Sequence, residues 1–101
     1  MSTPVVIRGL AQSDLEEAAA WYDSRQFELG EELVGQVGST ISAVADRPES
    51  FPIAYARRTR RALVKRFPFA VYFILEPKRI VILAILHTRR EHKRLLRGRS
   101  V

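Results

Sequence analysis

The side chains of this chain that could do chemistry are a histidine and a crowd of arginines. His87 stands just before Arg89 and Arg90 in HTRR, and a second basic run, RRTRRALVKR, lies upstream of it. Histidine is the usual side chain for proton transfer near neutral pH. Arginine stays protonated, so it is a poor base, but it holds phosphate and carboxylate oxygens and offsets their charge. Arg58, Arg60, Arg61, Lys65, Arg89 and Arg90 are therefore the candidates for meeting an anionic target or partner. The alternative role for His87 is structural: a ring hydrogen-bonded at the sheet edge that orients the C-terminal segment. His87 and His92 are the only histidines. Their spacing and basic surroundings make a poor metal site, and neither a metal nor a cofactor is expected.

The charge distribution points the same way. Residues 1–50 carry three basic and nine acidic groups, and residues 51–101 carry fourteen basic and two acidic ones. The halves are thus −6 and +12 within a net charge of +6. A dipolar molecule of this kind meets something negative with its C-terminal half, either nucleic acid or an acidic protein segment. The plainer alternative is a solvated basic face that only confers solubility.

These residues are held by two apolar segments, FPFAVYFIL from Phe67 to Leu75 and IVILAIL from Ile80 to Leu86. Both have strand length, are rich in β-branched and aromatic residues, and are apolar at nearly every position. That pattern belongs to central strands covered on both faces. The linker Glu76-Pro77-Lys78-Arg79 is short enough to make them antiparallel neighbours. Pro68 lacks a ladder donor and marks the start of the first.

Upstream, PVVIR (Pro4–Arg8) reads as an edge strand. Ser13-Asp14-Leu15-Glu16 has capping-box spacing, and Leu15, Ala18, Ala19 and Tyr22 keep one helical face, so a helix is expected over 13–24. After a connector at Leu29-Gly30, a second helix is expected over 30–45, with Gly35 and Gly38 explained by close approach to the first helix. Asp46 to Pro52 stops it, and Phe51 is expected to plug the space between helix and sheet. A partly exposed basic strand begins near Arg58. Glu91 to Arg97 forms a short helix resting on Leu95 and Leu96, and Gly98 ends it. Residues 99–101 are expected to fray.

The order is β-α-α-β-β-β with a short terminal helix. It is an α+β fold: a helical hairpin on one face of a mainly antiparallel sheet, with the other face left open and carrying much of the basic half. A chain of 101 residues makes one domain spanning 1–101. There is no cysteine, which excludes disulfides and thiolate sites and fits a reducing cytoplasm. No signal peptide is evident, and no apolar run approaches the roughly 20 residues needed to span a bilayer.

Four stretches, SDLEEAAAWYD, ADRPESFP, RRALVKRFPFAVYFIL and IVILAILHTRR, together resemble the RelE/ParE family of bacterial toxins from type II toxin–antitoxin systems. The resemblance covers nearly the whole chain. Its specific part is a basic residue, FP and an aromatic leading into a strand, then a strand ending in His-x-x-Arg. It implies an acidic antitoxin as partner and one of two targets. RelE-like members cleave messenger RNA on the ribosome; ParE-like members poison DNA gyrase. On the nuclease reading the resemblance assigns Arg61, His87 and Arg89 to catalysis. The central-strand arginine of the nucleases falls on Ala70, however, and their C-terminal aromatic falls near Leu95. These departures favour the ParE-like branch, which needs docking surfaces and no catalytic set. A third reading is a plain basic nucleic-acid-binding module, but no helix-turn-helix, zinc or RNP-type pattern supports it.

Overall fold

A computed structural model describes residues 3–99. Strand β1 (Val5–Ile7) leads into two helices, α1 (Gly9–Arg25) and α2 (Leu29–Asp46). A single 3-10 turn (Pro48–Ser50) precedes strands β2 (Ile53–Tyr55), β3 (Thr59–Leu63), β4 (Phe69–Leu75) and β5 (Ile80–His87), and a short helix, α3 (His92–Arg97), follows. The sheet order is β1-β5-β4-β3-β2. All pairs are antiparallel except β1 with β5. The α+β architecture expected from the sequence is the one observed, with β4 and β5 at the centre and β1 at an edge.

Both faces of the two central strands are apolar because both are covered. On one face Val71, Phe73, Ile82 and Ile85 pack with Ala11, Leu15, Leu33, Val37 and Val44 of the helical hairpin. On the other, Ala70, Tyr72, Ile74, Leu83 and Leu86 pack with Leu96 of α3. The register of β5 on β4 skips Leu83, so Ile82 opposes Phe73 and Ala84 opposes Tyr72. This bulge changes the parity of the strand. Ile82 and Ile85 consequently both face the helical hairpin.

The structure departs from the sequence reading at five places. Helix α1 begins at Gly9, with no side-chain cap at its start. Arg8 ends the strand by donating its N–H to the Ile82 carbonyl (3.1 Å) and accepts the first helical bond from Gln12 (2.9 Å). Ala11 is fully buried, so packing carries the helix four residues past the capping-box signal at Ser13. The close glycine is Gly30, inside α2, whose N–H donates to Asp23 Oδ1 at 2.7 Å. Nothing lies near Gly35 or Gly38. The basic strand is preceded by an additional short strand, β2, and the two join through a tight turn in which Ala56 takes a left-handed conformation (φ 52°). The second face of the sheet is not left open, since α3, itself rich in basic residues, lies on it. Arg99 is tied down by hydrogen bonds, while the rest of the expected fraying segment lies outside the described residues. The Phe51 plug is in place, its ring edge-on to Phe73 at 6.0 Å.

Candidate functional site

The end of β5 and the middle of α1 enclose a recess. Tyr22 belongs to the buried stripe of α1 and packs edge-on against Phe67 (5.1 Å) and Phe69 (6.2 Å). Trp21, one residue on, falls off that stripe and is 53% exposed. Its ring stands edge-on to Tyr22 at 5.0 Å, and the Arg25 guanidinium lies 4.6 Å over it. Between this wall and the end of the sheet lies a groove of about 400 Å³, lined by Asp14, Glu17, Ala18, Trp21, Tyr22, Phe69, Ile85, His87 and Arg90. Its floor is aromatic and aliphatic. Asp14 and Glu17 line the groove on the α1 side, and His87 with Arg90 on the other.

His87 pairs with Phe69 across the sheet, and the two rings meet edge-on at 5.3 Å. His87 Nδ1 accepts the backbone N–H of Arg89 at 3.1 Å, and the His87 carbonyl accepts that of Arg90 at 3.0 Å. In its neutral form the ring then carries its proton on Nε2. The imidazole thus orients the turn that leaves β5, which is the structural role weighed for it from the sequence.

The candidate cations do not form one patch. Arg60 is turned inward along the sheet: its Nη1 donates to the Phe51 carbonyl at 2.6 Å and holds the 3-10 segment. Arg58, in the β2–β3 turn, faces Glu76 at 3.8 Å. Lys65 is exposed in the β3–β4 turn, and Arg89 and Arg90 are exposed after β5. Arg61 opposes Tyr72 in the register of β3 on β4. It therefore shares the face covered by α3, whereas His87, opposite Phe69, shares the face of the helical hairpin. Arg61 and His87 lie on opposite sides of the sheet. The three residues that the nuclease reading would combine are not brought together.

Sequence reasoning missed Trp21, Tyr22 and Glu17 as groove residues. The one available signal was that the chain's single tryptophan sits off the apolar period of its helix. It also missed His92, whose ring stacks on Tyr72 (5.4 Å between centroids, 18° between planes). The pairing of Asp14 with Arg99 has no sequence signal at all.

One electrostatic shift stands out, away from the groove. Arg79 Nε donates to Glu76 Oε1 at 2.6 Å. That hydrogen bond, with the charges of Arg79, Arg58 and Arg8, holds the Glu76 carboxyl below its ordinary range. The pair closes the β4–β5 turn, where the Glu76 N–H also meets the Arg79 carbonyl at 2.8 Å.

The elements and the groove define a small α+β module that presents a recess and dispersed cations, with no assembled catalytic set among the described residues. Among the described residues no helix is long and apolar enough to cross a membrane. Residues 5–92 match the family model described as ParE toxin of type II toxin–antitoxin system, parDE, and the chain belongs to that family. A solved structure described as a chromosomal ParDE toxin–antitoxin system from P. aeruginosa shares the fold, with a TM-score of 0.74 at 18% identity, over 85% of this chain and 96% of the other. A search of curated protein sequences found no match.

Proposed function

We propose that this chain is a toxin that an acidic antitoxin neutralises and that acts by inhibiting DNA gyrase. The observation that carries the choice of target is the separation of Arg61 from His87 by the sheet. Cleavage of RNA by its own 2′-hydroxyl needs a proton acceptor, cations on the phosphorane and a proton donor around one phosphate. Residues on opposite faces of a sheet cannot serve one phosphate. Inhibition of a protein target asks only for a complementary surface. The plain nucleic-acid-binding reading is weakened by burial: Phe67, Phe69, Tyr72 and Phe73 are all 9% exposed or less, so they offer no faces for base stacking.

Neutralisation is supported by the charge of the C-terminal half and by the groove beside α1. An apolar side chain seated against Trp21, Tyr22 and Phe69 would place a neighbouring carboxylate near Arg90. An acidic, amphipathic antitoxin segment has that chemistry. The test has two parts. Expression of the chain alone should arrest growth, and an acidic antitoxin encoded beside it should relieve the arrest. The purified chain should inhibit supercoiling by purified gyrase, and the antitoxin should reverse this. Normal growth at confirmed expression, or cleavage of messenger RNA with gyrase unaffected, would refute the proposal.

A further inference from the structure

Strand β1 covers the outer edge of β5 only along Ile80–Ile82. Beyond it, the bulge at Leu83 turns the Leu83 carbonyl and the Ile85 N–H toward the uncovered edge. Among the described residues no backbone strand meets them there. Instead, the Ile85 N–H donates to Asp14 Oδ2 at 3.0 Å, and the Leu83 carbonyl accepts from Arg99 Nη1 at 3.3 Å. The two side chains also bond each other through both carboxylate oxygens, at 2.5 and 3.2 Å. Both are largely withdrawn from solvent, Arg99 at 14% and Asp14 at 11% side-chain exposure. The Arg99 carbonyl is in turn reached by Arg8 Nη1 at 3.5 Å. Two side chains from opposite ends of the chain thus do the work of a missing strand segment.

Arg99 lies just past α3, and α3 is otherwise held on the sheet by little. Leu96 is its one buried residue, Leu95 packs beside it only partly buried, and His92 stacks on Tyr72. The helix is too short to be stable by itself. We infer that Asp14 and Arg99 form a latch that straps the C-terminal helix across the second face of the sheet. Opening the latch leaves the Leu83–Ile85 edge bare and uncovers Tyr72, Leu83 and Leu86 in one step. The closed form keeps a basic helix fixed beside the turn carrying Arg89 and Arg90; the open form presents a free strand edge beside an apolar face. Both ends of the strap are coupled because breaking the pair strands a shielded charge on either side.

The coupling can be tested from the far end. Asp14 is on α1 and belongs to a different element from Tyr72 and α3. In Asp14→Asn, hydroxyl-radical labelling of Tyr72 and tryptic cleavage after Lys93 and Arg94 should each rise about tenfold, the scale of losing a charge-assisted hydrogen bond. Such cleavage follows the population of the open form. Arg99→Ala should give the same rise, and the double variant should go no further. Labelling of Tyr22, which packs on the opposite, hairpin face of the sheet, serves as the internal reference. Protection of Tyr72 unchanged in both single variants would overturn the latch, as would effects that add in the double variant. Global unfolding of both single variants would overturn it too, since a latch acts on the strap alone.

Discussion

The helical hairpin rests on one glycine, and its replacement gives a prediction with opposite signs at neighbouring sites. Gly30 is buried near the start of α2. A Cβ built there would collide with the Ala19 carbonyl oxygen and lie 2.7 Å from Asp23 Oδ1. The first obstacle is backbone and cannot swing away. Forcing a methyl into a packed site costs about 1–3 kcal/mol. Pushing the helices apart also strains the bond from the Gly30 N–H to Asp23, and a bond to a charged group contributes about 1.5–3 kcal/mol. Better helix propensity returns at most about 1 kcal/mol. Gly30→Ala should therefore destabilise the protein by about 3 kcal/mol, lowering Tm by roughly 12–24 °C for a domain of this size. Gly35→Ala and Gly38→Ala meet open space and should each stabilise by about 0.5–1 kcal/mol. Equilibrium denaturation of the three variants measures this directly. A neutral Gly30→Ala, or a loss at Gly35 or Gly38 as large as at Gly30, would refute the packing argument.

Other consequences are open to equally direct tests. Ala56→Gly should stabilise the β2–β3 turn by up to about 1 kcal/mol, because a left-handed alanine costs about 1–2 kcal/mol and glycine returns part of that as chain entropy; a destabilised variant by urea titration would contradict it. Glu76, followed by NMR titration, should lose its proton below the ordinary glutamate range, and Arg79→Ala should move it back up. Because the folded carboxyl titrates lower than the unfolded one, its contribution to stability is present above the unfolded value and fades as pH falls through the folded one. Trp21→Ala and Arg90→Glu should weaken antitoxin binding by tenfold or more, about 1.4 kcal/mol, in a pull-down or calorimetric titration. His87→Gln should leave growth arrest intact, since the imidazole orients a turn; a complete loss of toxicity with the fold retained would argue for catalysis.

The central strands were legible because burial on both faces writes itself into sequence as an unbroken apolar run. The helices were legible by period, while their boundaries were not. The capping signal at Ser13 goes unused, because the helix runs back through Ala11, which is fully buried. Strand β2 was hidden because its turn, Ala56-Arg57-Arg58, contains no glycine, asparagine or proline, and the left-handed residue is an alanine. The terminal helix was visible as Leu95 and Leu96. Its role as a cover was not, because the basic residues around it suggested a solvated face. At the candidate site, His87 and Arg90 could be named from the end of their strand. Trp21 and Tyr22 could not be joined to them, because that groove exists only once α1 crosses β5. The division of Arg61 from His87 depends on strand register, and one residue of slip would have reversed it.

Gyrase, and not translation, is the proposed target of this ParE-family chain. Pulse labelling after induction, with thymidine and methionine followed in one culture, tests it most directly. Thymidine incorporation should fall first, with protein synthesis persisting. An earlier fall in methionine incorporation, abolished by His87→Gln, would contradict the account and return Arg61, His87 and Arg89 to the centre of the site.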